Sequence, residues 1–240
     1  MENKLVIGVV GGMGSYATLN LFERLLSAFP AEKEWDRPRI IIDNYCTMPS
    51  RVRAVLYNEN REELVGMLTN SIQNLISSGA TKVVLDCNTS HIFLDDVYVK
   101  HSELKKYVVN IIDSCCKDIE SKGLKSVFLL ATEGTIQSNV YGSYAKNYSF
   151  KIESPEEKDY KILRNFIEIV KTNKANKENC GAFFDYLNSL ESHAILLGCT
   201  ELPVLYLKGL EYGLRTEKTI IDPINSVLEI LKEDFSSNGI

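Results

Sequence analysis

The sequence lacks the features that define several large classes of protein. Its 27 lysines and arginines stand against 32 aspartates and glutamates, a formal net charge of −5, and no long basic run occurs. This balance argues against nucleic-acid binding as the main task. The first apolar run is too short to span a membrane and has neither the basic segment nor the cleavage site of a signal peptide. We therefore expect a cytoplasmic protein that acts on a small molecule, away from membranes.

Patterns for metal binding and for disulfides are also absent. Only three histidines occur, none spaced with another as a ligand pair, and the six cysteines contain no CxxC pair. Scattered cysteines in a chain of 240 residues without a secretion signal favour free thiols. We therefore predict neither a structural disulfide nor a metal site.

What the sequence does contain is an alternation of apolar runs and amphipathic segments. Strands are predicted at residues 4–10, 39–45, 83–87, 126–131, 150–153, 194–199 and 219–221. Helices are predicted at residues 17–28, 60–78, 108–122, 155–174 and 179–190, and after Asp222. Strands that alternate with helices imply a parallel sheet with helical crossovers, so the fold class is α/β.

The two halves of the chain show the same order of elements. Each has a strand, a polar turn, a helix, a second strand, another helix and a third strand that stops at a cysteine. This repetition predicts two pseudo-symmetric, flavodoxin-like lobes with parallel sheets and a cleft between them. Residues 1–100 with about 215–240 form the first lobe, which holds Cys87, and about 101–214 form the second, which holds Cys199. The last helix, with Asp222 as cap and Pro223 in its first turn, is expected to cover the first lobe.

Cys87 and Cys199 carry the predicted chemistry. Ligands of open parallel sheets bind at the carboxyl ends of strands, so the two thiols should face each other across the cleft. A helix that begins after each cysteine would lower its pKa from about 8.5 toward the working pH. A thiolate on one face of a carbon acid and a thiol on the other can invert the centre, as in a cofactor-independent racemase.

Removal of a weakly acidic α-proton also requires groups that stabilise charge on the substrate carboxylate. Polar turns suited to this role occur at 11–15, which includes Met13 and Gly14, and at 132–135, which includes Thr132 and Thr135. Asn88, Thr89 and Thr200, which follow the two cysteines, offer an amide and two hydroxyls. We expect these groups to converge around the substrate.

At these residues the sequence resembles the aspartate/glutamate racemase family, whose members racemise amino acids without pyridoxal phosphate and have a two-lobed fold. The matching segments are IGVVGGMGSYAT at 7–18, MPSR at 48–51, CNTSH at 87–91, TEGT at 132–135 and GCTELP at 198–203. The family turn commonly reads GGMGP, whereas Ser15 and Tyr16 follow Gly14 here.

The resemblance implies roles for individual residues. Cys87 and Cys199 would be the acid-base pair, while Asn88, Thr89 and Thr200 would hold the α-carboxylate. Arg51 would bind the side-chain carboxylate with its two-pronged guanidinium, and Lys171 is similar to a family lysine that reaches the same group. The family also implies a homodimer and no cofactor.

Two neighbours of the cysteines have open roles. His91, four residues after Cys87, either supports that thiolate or makes a structural hydrogen bond. Glu201 either adjusts the protonation of Cys199 or caps the helix that follows.

Other functions compete with the racemase prediction. Gly12, Gly14 and Ala17 form GxGxxA, the dinucleotide fingerprint, with Asp43 as a ribose ligand, which would make the chain an NAD(P)-binding oxidoreductase or sensor. The same fold also serves hydantoin racemases, maleate isomerases and arylmalonate decarboxylases. The dinucleotide alternative leaves the matched cysteines unexplained, and the GGMG and GCTELP segments of the resemblance favour amino acids as substrates. We therefore predict a racemase of acidic amino acids, with aspartate as the first substrate and glutamate as the second.

Overall fold

Two four-stranded parallel sheets form the centre of the molecule in the computed structural model, which describes residues 5–237. The first sheet has the order β2-β1-β3-β4 and contains β1 (Val6–Gly11), β2 (Arg39–Asn44), β3 (Lys82–Leu85) and β4 (Val108–Val109). The second has the order β6-β5-β7-β8 and contains β5 (Ser126–Leu130), β6 (Lys151–Glu153), β7 (Ala194–Leu197) and β8 (Thr219–Ile221). The second order repeats the first, so the predicted pair of α/β lobes is confirmed.

Helices cover both faces of each sheet. The helices that precede β5 in the chain are α1 (Ser15–Ala28), α2 (Arg51–Tyr57), α3 (Arg61–Ser77), α4 (Leu94–Lys100) and α5 (Ile111–Ser121). The helices that follow β5 are α6 (Glu133–Gln137), α7 (Val140–Ala145), α8 (Tyr160–Lys171), α9 (Lys177–Ser189), α10 (Leu202–Glu211) and α11 (Pro223–Ser237). No helix within residues 5–237 is both long enough and apolar enough to cross a membrane.

The inner strands of the two sheets form because most of their side chains are buried on both faces, whereas the edge strands β2 and β6 are more exposed. Ile7 and Val9 of β1 pack beneath α1 and α11, while Val10 points into the opposite cluster beneath α3. Strands in such a setting read as continuous apolar runs, which is the pattern that predicted them. After β1 the chain turns at Gly12 with φ of +79°, and a Cβ there would lie 2.5 Å from the backbone nitrogen of Tyr45.

The predicted element boundaries need correction at three places. The strands expected to reach Cys87 and Cys199 end two residues earlier, at Leu85 and Leu197. The helix predicted from residue 108 starts at Ile111, because Val108 and Val109 pair with β3 as a strand. The helix predicted for 155–174 is confined to α8, since only a short 3₁₀ turn precedes it.

Two segments of chain pass between the lobes. Helix α5 connects β4 to β5 and packs on both lobes, because Ile111 belongs to the first core while Ile112, Cys115, Cys116 and Ile119 belong to the second. After β8 the chain returns through Asp222, whose Oδ1 accepts a hydrogen bond from the Ile224 N–H at 3.0 Å, and α11 covers the first sheet as expected. The lobe boundaries near 100 and 215 stay predictions. Strand β4, which follows residue 100, still belongs to the first sheet, and β8, which follows residue 215, still belongs to the second.

Candidate active site

A small cavity lies between the lobes at the carboxyl ends of the strands. Its volume is about 50 Å³, and it is bordered by Met13, Ser50, Arg51, Val52, Cys87, Asn88, Thr89, Thr132, Lys171, Cys199, Thr200 and Glu201. Polar residues predicted from five separate places in the sequence are therefore brought together. This is the place where ligands bind in open parallel sheets.

The two cysteines enter the cavity from equivalent positions of the lobes. Cys87 lies two residues beyond β3, and Cys199 lies two residues beyond β7. Cys199 is buried, whereas Cys87 is half-buried. The thiols thus reach one cavity from opposite sheets, as predicted.

Glu201 is the hydrogen-bond partner of one thiol. The Sγ of Cys199 donates to Oε2 of Glu201 at 2.9 Å. Burial raises the pKa of Cys199 well above its ordinary value, and the charge and hydrogen bond of Glu201 raise it further. The expected lowering of this pKa by the following helix is therefore wrong, because desolvation and a neighbouring carboxylate outweigh the helix. Glu201 makes no side-chain cap of α10, so of its two predicted roles only the contact with Cys199 is seen.

Asn88 is fixed in orientation by a tyrosine from the other lobe. The hydroxyl of Tyr141, on α7, donates to Oδ1 of Asn88 at 2.6 Å. Since that oxygen is used, the amide nitrogen of Asn88 is left as donor, and it has no partner among residues 5–237. Asn88 borders the cavity, so its N–H groups are available to a carboxylate placed there.

Three threonine hydroxyls form a closed triangle beside Asn88. Oγ1 of Thr89 lies 3.0 Å from that of Thr132 and 2.8 Å from that of Thr135, and the last two are 3.1 Å apart. Thr89 belongs to the first lobe and the others to the second, so the triangle connects the lobes. Thr135 is fully buried and does not border the cavity; it supports the other two hydroxyls from behind.

Two cations, Arg51 and Lys171, border the cavity. Arg51, the first residue of α2, donates from Nη2 to the carbonyl of Met13 at 2.7 Å and from Nη1 to that of Pro49 at 3.1 Å. Lys171, the last residue of α8, lies 3.5 Å from Glu168. Burial alone lowers the pKa of Lys171, but the acidic groups of Glu201, Cys199 and Glu168 outweigh it and raise the pKa.

Besides Thr135, two further predicted site residues, Gly14 and His91, do not border the cavity. Gly14 packs against the second lobe, since a Cβ there would collide with Oε1 of Glu201. His91 is buried, with Nδ1 3.0 Å from the carbonyl of Cys87, and Nε2 accepts from the N–H of Ile111 at 3.2 Å. Of its two predicted roles, the structural hydrogen bond is the one observed.

Four residues near the site were missed from the sequence. Ser50 and Val52 border the cavity, and the Ser50 hydroxyl caps α2 by accepting from the Arg53 N–H at 3.3 Å. The Pro-Ser pair before Arg51 is a helix-start signal that could have identified this cap. Asp86 is an acid inside an apolar run, which could have marked it for attention. Tyr141 offers no local signal, because its importance comes only from its contact with the other lobe.

Comparisons with known proteins agree with this arrangement. The aspartate racemase of Picrophilus torridus shares 28% identity and superposes with a TM-score of 0.79, covering 97% of this chain and 94% of its own. The broad specificity amino-acid racemase RacX of Bacillus subtilis is 24% identical over 59% of this chain, a match that spans 60% of its own length, less than two thirds. A glutamate racemase of Lactobacillus acidophilus is 23% identical over 76% of this chain and 68% of its own.

Residues 10–231 match the family described as Asp/Glu/hydantoin racemase, which is nearly the whole chain. Residues from the segments that resemble the family border one cavity, so the sequence match agrees with the structure. The chain belongs to the Asp/Glu/hydantoin racemase family.

Proposed function

We propose that the protein is a pyridoxal-phosphate-independent racemase of acidic amino acids, with aspartate as its first substrate and glutamate as its second. The observation that carries the proposal is the entry of Cys87 and Cys199 into one cavity from equivalent positions of the two lobes. A substrate held between them presents opposite faces of its α-carbon to the two sulfurs. That geometry suits proton removal on one side and proton delivery on the other.

The protonation of the thiols favours a starting state. Cys199 is the thiol, since its pKa is raised and it donates its hydrogen to Glu201. In the proposed mechanism Cys87, the less buried of the two residues, acts as the base that removes the α-proton. Cys199 delivers its proton to the opposite face, and the free enzyme is left with the proton on Cys87 instead. Reaction from the other enantiomer returns the proton to Cys199, so the cycle is balanced without an added acid or base.

Removal of the α-proton places negative charge on the substrate carboxylate, and fixed donors can stabilise that charge. The unpartnered amide nitrogen of Asn88 is one such donor. The hydroxyls of Thr89, Thr132 and Thr200 also border the cavity. We assign the α-carboxylate to this group, which is oriented by Tyr141 and Thr135 before the substrate arrives.

The preference for acidic side chains rests on Arg51 and Lys171. Arg51 donates to the carbonyls of Met13 at 2.7 Å, Pro49 at 3.1 Å and Met48 at 3.5 Å, and its remaining N–H groups can serve a ligand. Such a guanidinium and an ammonium on the border of a small cavity suit a second carboxylate. Aspartate is placed first because the relative with 28% identity is an aspartate racemase, and glutamate second because another relative is a glutamate racemase.

The dinucleotide alternative fits the geometry less well. The Glu201 side chain packs directly against Gly14, and the backbone of Tyr45 and Cys46 packs directly against Gly12. The turn therefore leaves no space beside these glycines for a pyrophosphate. The carboxylate of Asp43 accepts a hydrogen bond from Ser71 at 2.6 Å. Other substrates of the family, such as hydantoins, are compared with amino acids in the assay below.

The test is α-proton exchange in deuterated water without added pyridoxal phosphate. L-aspartate should gain α-deuterium and lose optical activity, L-glutamate should do so more slowly, and a hydantoin should be unchanged. Mass spectrometry follows the deuterium, and chiral chromatography follows the enantiomers. Absence of exchange with every acidic amino acid would contradict the proposed substrate class.

Variants of the cysteines test the mechanism. Cys87→Ser and Cys199→Ser should each reduce racemisation by a factor of about 10³ or more, because serine is a far weaker acid and base. Cys46→Ser is the matched control, since Cys46 is a free, exposed cysteine outside the cavity. Full racemisation by either cavity variant would disprove the two-thiol mechanism.

We further infer that the protein is a cytoplasmic homodimer, which rests on the family resemblance. Sedimentation equilibrium should then give twice the mass of the 27.1-kDa chain. A single-chain mass at the concentration of the activity assay would contradict the dimer.

A further inference from the structure

The hydroxyl of Tyr141 has a single polar partner. It donates to Oδ1 of Asn88 at 2.6 Å, and no other hydrogen-bond partner is found for it among residues 5–237. Tyr141 is completely buried, and burial raises the pKa of its hydroxyl well above the ordinary value, so the group keeps its hydrogen near neutral pH. A buried hydroxyl hydrogen without an acceptor is costly, so the amide must turn its oxygen, and not its nitrogen, toward Tyr141.

The other end of the same amide is left for the cavity. Asn88 is 2% exposed, it borders the cavity, and its amide nitrogen has no partner within residues 5–237. Buried polar atoms nearly always have a partner, so an unpartnered donor beside a cavity suits an anion that arrives from outside the protein. If the amide turned over, the same place would hold an oxygen, which repels a carboxylate. Tyr141 therefore decides which end of the amide a ligand meets.

The ring of Tyr141 is held by the second lobe. It packs on Gly198, the residue before Cys199, since a Cβ added to that glycine would lie 3.3 Å from Cε2 of the ring. Asn88, at the other end of the contact, is the residue after Cys87. One side chain thus connects the immediate neighbours of both thiols, and its packed ring keeps the hydroxyl in one place.

The backbone that carries Cys87 does not depend on this hydroxyl. The carbonyl of Asp86 accepts from the Thr200 hydroxyl at 3.4 Å, and the carbonyl of Cys87 lies 3.0 Å from Nδ1 of His91. These contacts remain when the hydroxyl of Tyr141 is removed. Its loss should therefore free the amide to rotate without displacing the thiol.

We propose that Tyr141 is a positioning residue that determines specificity: its hydroxyl holds the Asn88 amide with the nitrogen toward the ligand, so that the cavity favours a carboxylate over an uncharged group of the same shape. This inference rests on the proposed function, in which that group is the α-carboxylate of an acidic amino acid. Without the hydroxyl both orientations of the amide are populated, and the preference for a carboxylate decreases.

The first test compares two thiol reagents of nearly the same shape, iodoacetate with a carboxylate and iodoacetamide with a neutral amide. The ratio of their rates at Cys87, divided by the ratio at the exposed Cys46, should fall about threefold or more in Tyr141→Phe. The ratio cancels any change in the ionisation of Cys87. Tyr144→Phe is the matched control and should keep the wild-type ratio, because that hydroxyl also contacts an asparagine amide, Nδ2 of Asn110 at 2.9 Å, but outside the cavity. Peptide-resolved mass spectrometry gives the rates.

The second test asks whether Tyr141 acts through Asn88. In Tyr141→Phe, kcat/KM for L-aspartate should fall about tenfold, with most of the loss in kcat, because charge on the carboxylate grows as the α-proton leaves. In the Asn88→Ala background the same substitution should change kcat/KM by less than about twofold, since the residue through which it acts is gone. Deuterium exchange at the α-carbon accumulates over long incubations and follows weak activity.

The two tests separate this inference from the proposed function. If no acidic amino acid were racemised but Tyr141→Phe still lowered the reagent ratio, the proposed function would fail and the selection of a carboxylate would stand. An unchanged reagent ratio in Tyr141→Phe, including one in which both rates rise equally through looser packing, would overturn the role of Tyr141. Effects of Tyr141→Phe and Asn88→Ala on kcat/KM that simply multiply in the double variant would also overturn it.

Discussion

Glu201 distinguishes Cys199 from Cys87, because it accepts a hydrogen bond from the Cys199 thiol. A carboxylate 2.9 Å from the sulfur favours the thiol over the thiolate, because a second negative charge there would be repelled. The other thiol, Cys87, has no carboxylate partner of this kind within residues 5–237. A single carboxylate thus makes two similar cysteines chemically different.

Glu201→Gln tests this difference. The amide keeps the shape but removes the charge, so Cys199 should ionise at lower pH and the pair should lose its one-thiol, one-thiolate state. We expect kcat/KM to fall about 10²-fold and alkylation of Cys199 near neutral pH to become faster. Peptide-resolved mass spectrometry after a timed exposure to iodoacetamide gives the second value. Glu211→Gln, on an exposed position of the same helix, is the control, and an unchanged alkylation rate of Cys199 would refute the role of Glu201.

The site residues that could be predicted from the sequence are those that directly follow a strand. Cys87, Asn88 and Thr89 follow one apolar run and Cys199 and Thr200 another, so a strand-end argument was enough to bring them together. Asp86 and Tyr141 were not predicted. Their significance depends on what the opposite lobe places beside them, and no local pattern records that contact.

Among the elements, the 3₁₀ turn after β3 depends on His91 for its connection to α5. The neutral ring bridges the Cys87 carbonyl and the Ile111 N–H, with Nε2 as the acceptor. Burial lowers the pKa of His91 to about 4, because a protonated ring would lose its solvation and point a hydrogen at the Ile111 N–H. The turn that carries Cys87 is therefore sensitive to acid.

His91→Gln should reveal this sensitivity. The folded pKa lies below the unfolded value, so the stability linked to His91 is present above about pH 6.5 and is lost as pH falls to about 4. The wild-type free energy of unfolding should fall in this window by about 3 kcal/mol more than that of the variant. Urea titrations at several pH values measure the difference, and His193→Gln at an exposed position is the control. Parallel curves for wild type and His91→Gln would contradict the prediction.

Elements with a long periodic signal were predicted better than short ones. Strand β1 and helix α3 have enough residues for the pattern to be unambiguous, and both lie within a few residues of their predicted positions. Strand β4 has only two residues, Val108 and Val109, and these continue the spacing of Ile112 and Cys115 as a helix would. Its pairing with β3 is a tertiary contact that overrides the local pattern.

For the whole molecule, access to the cavity between the lobes is the central constraint. The cavity of about 50 Å³ has Cys87 and Cys199 on its border. A second chamber of about 180 Å³ adjoins it and shares Ser50, Val52, Thr132 and Lys171. Helices α2 and α6 meet beside the two chambers, so closely that a Cβ on Gly134 would lie 3.2 Å from Cα of Val52. We expect these helices to separate when substrate enters.

Hydrogen exchange can detect that separation. We expect the amides of α2 and α6 to exchange several-fold faster in the free protein than with saturating L-aspartate, because the substrate connects the lobes through Arg51 and the threonines. Helix α9, on the outer face of the second lobe, is the internal control and should be unaffected. Equal exchange of α2 with and without substrate would show that access takes another route.

The two lobes could be predicted from the repeated order of elements. The way they pack on each other could not, because it depends on contacts such as Gly134 on Val52 that no single segment encodes.

The double passage of the chain between the lobes also limits how they move. Helix α5 makes one connection and the segment at Asp222 makes the other, and α5 packs against α11 where the second connection ends. A single connection would let one lobe swivel freely about a point. Two adjacent connections restrict twisting of the lobes more than one connection does. We therefore expect the lobes to rotate about a single axis, so that Cys87 and Cys199 keep their alignment when the cleft opens and closes.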